Sequence, residues 1–224
     1  MSLPGRIWMP LVAILGAAVL GLGIMVALGV NGDTTITKVT KQCILSEPGC
    51  EARPTTHEHA DFALWIRGKQ FDFNQPQFIS KDGHDLSENV HLHQPRTTVV
   101  HVHRQRTTWD EFFTSLGFRL SDSTLSAPKG KASLKLPSGE VLSEGNGEKF
   151  TFYVNGVKVD GVARMNITDL DRVLISFGSQ SDAEIAAELA QVTDQACIPS
   201  EKCLDRVDPN EPKEQCTLSS NSCQ

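Results

Sequence analysis

Six of the seven histidines in this 224-residue chain fall in three His-x-His pairs: His57/His59, His91/His93 and His101/His103. Random placement of the histidines would give about 0.2 such pairs, so the spacing carries information that composition does not. Side chains two apart on a β-strand point to the same face. Each pair therefore presents two imidazoles together, and neutral imidazole is the commonest metal ligand. The chemistry implied is a transition-metal site. An all-imidazole set suits Cu2+, Zn2+ or Ni2+ better than Ca2+ or Mg2+, and the Irving–Williams order favours Cu2+ over Zn2+. His57, His59, His91, His93, His101 and His103 are the candidate ligands. Glu58, Asp61 and Asp110 are candidate carboxylates for orienting the rings. His84, alone beside Asp82-Gly83, reads as a turn residue.

Strand parity must position these rings. Val90, Leu92, Val100 and Val102 hold even positions, while the histidines between them hold odd ones. If the apolar set faces a core, the four histidines of this hairpin share the opposite, solvated face. One allowed register sets His91 directly across from His101. A strand two places away would lie about 9.6 Å off, too far to share an ion. The strand over residues 60–66, which His57 and His59 open, must therefore neighbour the hairpin or reach over it. The competing readings of the same residues are a solvated polar sheet face and a pH-sensitive histidine cluster.

The remaining elements follow from local chemistry. Phe71-Asp72-Phe73 reads as a short strand. Thr108-Trp109-Asp110-Glu111 has the form of a capping box, opening a helix with Trp109, Phe112 and Phe113 inward and Gly117 as its stop. Strand candidates lie at 132–136 and 140–142. Residues 150–154, Asn155-Gly156 and 157–159 make a hairpin. Residues 171–177 are a last strand. Ser181-Asp182-Ala183-Glu184 is a second capping box, before a helix with Ile185, Leu189 and Val192 on one side. The fold class expected is α+β, a mainly antiparallel sheet with one packed helix.

Residues 8–30 are an apolar run behind Arg6, long enough to span a bilayer as a helix and oriented with the N-terminus cytoplasmic. A cleaved signal peptide, with Ala27-Leu28-Gly29 as its small-x-small site, is the alternative. Both export the rest of the chain. The expected layout is a membrane anchor over 1–30, a linker over 31–56, a histidine-rich domain over 57–192 and a cysteine-rich tail over 193–224. The six cysteines fall in three similar loops, which predicts Cys43 joined to Cys50, Cys197 to Cys203 and Cys216 to Cys223. A net charge of −6 with no long basic stretch argues against nucleic acid as a partner.

Two resemblances accompany this reading. The hairpin over 152–159, followed by the Asp-rich turn and strand over 169–177, is similar to the closing strands of β-grasp domains, especially those like the transcobalamin C-terminal domain. Over residues 57–190 the chain also resembles an uncharacterised set of exported, membrane-anchored archaeal and bacterial proteins with repeated His-x-His motifs. Some of those carry a protein-disulfide isomerase label. This chain has no Cys-x-x-Cys, so no such activity is carried over, and no catalytic residue is assigned. Three functions fit the sequence. The first is a membrane-tethered module that captures, buffers or transfers Cu2+ or Zn2+. The second is a His-ligated metalloenzyme, with zinc-activated water or redox-active copper. The third is a disulfide-stapled surface protein without metal. A carrier or buffer should show a shallow exposed cluster, an enzyme a cleft with an open coordination position and a poised carboxylate, and a structural protein scattered histidines.

Overall fold

Alternating apolar residues from Phe62 onward build the longest strand, β1 (Thr55–Ile66). The computed structural model describes residues 53–81, 85–124 and 131–210, all within the unit Thr40–Gln224. Among the described residues, ten strands form two sheets. The larger has the order β3-β4-β1-β10-β8-β9, with β2 (Lys69–Gln70) paired to one end of β1. Here β3 is Val90–Leu92, β4 Val99–Arg104, β8 Lys149–Val154, β9 Val157–Val159 and β10 Arg172–Gly178. The smaller sheet is an antiparallel meander of β5 (Arg119–Ser121), β6 (Ser133–Lys135) and β7 (Val141–Ser143). Pairing is antiparallel except between β1 and β10, which run parallel with Asp61 opposite Arg172 and Ile66 opposite Phe177. Phe71 and Phe73 lie past the end of β2 rather than in a strand, and join an aromatic cluster with Phe78 and Phe118.

Among the described residues two α-helices pack on this framework, one more than the single packed helix expected of the fold class. Helix α1 (Trp109–Ser115) starts at Thr108, whose side chain accepts from the Glu111 N–H. The Glu111 carboxylate does not follow the simple capping-box expectation. It takes the Arg53 guanidinium, at 2.5 and 2.9 Å, and the Asn89 amide at 2.8 Å. Helix α2 (Asp182–Ala190) starts with the complete box between Ser181 and Glu184. Period-2 alternation on β1 and β10 feeds two separate interiors. Phe62, Leu64, Val173, Ile175 and Phe177 join Val90, Leu92, Val100 and Val102 beneath α1, whose Trp109, Phe112 and Phe113 are all but inaccessible. Each such side chain contributes roughly 1.5–3 kcal/mol by leaving water. Ala63, Trp65 and Leu174 point the other way, onto Ile185, Leu189 and Val192 of the α2 region.

Among the described residues no helix is long and apolar enough to cross a membrane. The run over 8–30 lies outside them, as do His84, Cys43, Cys50, Cys216 and Cys223. Cys197 and Cys203 are joined by a disulfide, with Cα atoms 5.4 Å apart, inside the span that permits a bridge.

Candidate metal centre

Because β1, β4 and β3 are adjacent, their odd-numbered residues form rows across one sheet face. His59 is opposite His101 across β1 and β4, and His101 is opposite His91 across β4 and β3. One step along, past an irregularity between Thr55 and Glu58, the His57 and His103 rings stack at 5.4 Å. His93 follows β3 and lies edge-on to His91 and His101, with ring centroids at 4.5 and 5.0 Å. The strand carrying the first pair thus neighbours the hairpin directly. All six candidate ligands share one side, opposite the apolar even positions of β3 and β4.

That side is not a solvated face, and this corrects the sequence expectation. His59, His91, His101 and His103 are at most 5% exposed, His93 is half-buried and His57 is exposed at the rim. The covering comes from the chain after α2. Asp61, on the same face, accepts from Thr193 Oγ1 at 2.5 Å and from the N–H groups of Gln195 and Ala196, both at 2.9 Å. It anchors the returning chain, where the sequence suggested it would orient an imidazole. The Cys197–Cys203 loop then sets Ser200 against His59.

The hydrogen bonds fix two ring tautomers. His91 Nδ1 lies 2.8 Å from the Ser87 carbonyl oxygen. A carbonyl only accepts, so Nδ1 carries the proton and the neutral ring turns its lone pair out at Nε2. Asp85 Oδ1 stands 3.7 Å from the same Nδ1. On the other side of the cluster, Ser200 Oγ donates to Asp169 Oδ1 at 2.6 Å. Its hydroxyl proton being used, Oγ accepts from His59 Nδ1 at 2.7 Å, and His59 also presents Nε2. Asp169 is itself held by the His59 N–H at 2.9 Å and by Lys202. Its carboxyl is kept below the usual range by Lys202, Ser200 and that N–H, against the opposing effect of burial. A carboxylate or carbonyl on the second nitrogen is the usual device for orienting a metal-binding histidine.

Beside β3, two ring nitrogens approach His91 Nε2. His91 Nε2 is 3.0 Å from His93 Nε2 and 3.1 Å from His103 Nε2. One in-plane lone pair cannot make two good hydrogen bonds to two other ring nitrogens. A cation at His91 Nε2 shared with a neighbouring ring nitrogen would satisfy both lone pairs. At metal–nitrogen distances of 2.0–2.1 Å, tetrahedral ligands lie about 3.3 Å apart. Burial, then His91, His57, His101 and His59, push the His103 imidazole down to about 2, so it is neutral, the form a ligand must take.

Two groups bring ligand atoms within 4.8 Å of one another and could hold a metal ion: His57 with His59 and His101, and Asp85 with His91 and His93. Asp85 approaches His91 at Nδ1, the nitrogen committed to Ser87, whereas His103 meets Nε2. From sequence, Ser87, Asp85 and Ser200 carry no site role and Asp169 reads as a turn acid. A trace of Ser200 is legible, since a serine stands three places after the first cysteine of all three loops, at Ser46, Ser200 and Ser219.

No family model matches the chain, and no curated protein or solved structure matches it at a significant level.

Proposed function

We propose that this domain is an extracytoplasmic, membrane-tethered module that captures and retains Cu2+ or Zn2+ through imidazole nitrogens. The observation that carries the reading is the approach of His93 Nε2 and His103 Nε2 to His91 Nε2 at 3.0 and 3.1 Å, with the His91 lone pair aimed by Ser87. The burial of four of the rings departs from the shallow cluster expected of a carrier or buffer, and with their oriented tautomers it favours retention over rapid hand-on. Asp85, the carboxylate at the edge of the cluster, faces His91 Nδ1, a place from which it orients a ligand rather than activating a water on the metal. This favours the binding module over the metalloenzyme. The β-grasp kinship belongs to the same proposal and draws support from the sheet order β4-β1-β10-β8 with α1 following β4. Full-length protein purified in detergent should retain copper or zinc in stoichiometric amount, lose it to a strong chelator and take it back. A chain that holds no transition metal before or after reloading, with no change in melting temperature on adding either ion, would end this reading.

A further inference from the structure

The six histidines outnumber the donors one tetrahedral ion can use, and they divide without sharing a residue. His57, His59 and His101 bring ligand atoms within 4.8 Å of one another. His93 and His103 converge on His91 Nε2 at 3.0 and 3.1 Å. Strand β4 supplies one ring to each triplet, His101 to the first and His103 to the second. The two remaining donors of each triplet come from a single flanking segment, β1 for the first and β3 with the residue after it for the second. Each triplet also has its own orienting acceptor. Asp169 acts through Ser200 on His59, and the Ser87 carbonyl oxygen lies 2.8 Å from His91 Nδ1. The two orienting devices lie at opposite ends of the row His59, His101, His91, and each fixes one ring so that Nε2 is the donor.

We infer that the cluster is a dinuclear centre, holding one ion at His57, His59 and His101 and a second at His91, His93 and His103. The inference rests on the metal-binding reading above. Three imidazoles per ion leave each site one or more coordination positions for water or an exogenous ligand. The strand spacing of about 4.8 Å between rows puts the two ions within a few ångströms of each other. His57 is exposed and His93 half-buried, so each triplet has one ligand that can be removed without opening the buried rows.

The test is Cu2+ titration of chelator-stripped, full-length protein in detergent, with bound copper measured by atomic emission after desalting. The expected result is two ions per chain, with an integrated paramagnetic resonance signal well below that of two isolated Cu2+ ions because the neighbours couple. His57→Ala and His93→Ala should each bind one ion at concentrations that load the parent with two, and the double variant should bind neither. Their far-ultraviolet circular dichroism should match that of the parent. One ion per chain in the parent would overturn the dinuclear inference and leave the metal-binding reading intact. So would two ions with the full uncoupled signal, or both variants weakening the same single event. No bound ion at all would overturn both.

Discussion

Ser200→Ala isolates how the distant loop acts on the centre. The substitution removes the hydroxyl that links Asp169 to the His59 ring in the chain of bonds from carboxylate to hydroxyl to imidazole, at 2.6 and 2.7 Å. Asp169 keeps its bonds to the His59 N–H and to Lys202, so the backbone stays in place while the ring loses its orienting partner. Losing such a partner typically costs 10–100-fold in metal affinity, which corresponds to about 1.4–2.7 kcal/mol. The direct effect on folding is one hydrogen bond, about 1 kcal/mol. Competition against a chromophoric chelator, with the metal-free melting temperature measured alongside, separates the two effects. The expected result is a 10–100-fold weaker affinity for Ser200→Ala with near-parental affinity for Ser200→Thr, which keeps the hydroxyl. Equal affinity in all three proteins would refute the relay and reduce the Cys197–Cys203 loop to a cover.

Opening that loop with Cys197→Ser and Cys203→Ser should lower stability by about 2 kcal/mol, the loop-entropy value for so short a closure, and weaken the metal as Ser200→Ala does, both read by thermal melts and the same competition. Asp122 is buried and accepts from the Val162 and Ala163 N–H groups at 2.7 and 2.8 Å and from Thr124. Asp122→Ala should therefore cost at least about 3 kcal/mol in urea unfolding, as two buried donors lose their acceptor; a loss under about 1 kcal/mol would contradict that role. In metal-free protein, His103 titrates near 2 when folded, driven down by burial and by His91, His57, His101 and His59, against about 6.5 when unfolded. Between those values the unfolded chain binds more protons, so stability rises with pH. Unfolding midpoints should fall steadily as pH drops below about 6.5, and His103→Gln should flatten that slope. Protease added to intact cells should remove the C-terminal domain if it is displayed outside; protection until lysis would contradict the proposed topology.

Parity made much of the site legible in advance. Odd histidines among even valines and leucines gave the shared face, the His91–His101 pairing and the need for the first pair to adjoin the hairpin, all as observed. Local chemistry located the helices at Thr108 and Ser181 and the turn at Asn155-Gly156. The burial of the cluster was not legible. It depends on contacts between residues more than 100 places apart, such as Asp61 with Ala196 and His59 with Ser200, and no local periodicity encodes them. The parallel pairing of β1 with β10 is hidden for the same reason. The consequence is practical. A His91→Ala, His101→Ala pair, harmless on a solvated face, here truncates two rings that are 2% and 1% exposed. Metal loss in that variant would not be separable from damage to the fold, which is why rim ligands and Ser200 are the better probes.

X-ray absorption at the metal edge of the loaded full-length protein reads whether imidazole nitrogens of this cluster hold the ion. The expected first shell is nitrogen at about 2.0–2.1 Å with imidazole outer-shell scattering and no sulfur. A first shell containing sulfur near 2.3 Å, or one of oxygen alone without the imidazole pattern, would contradict it.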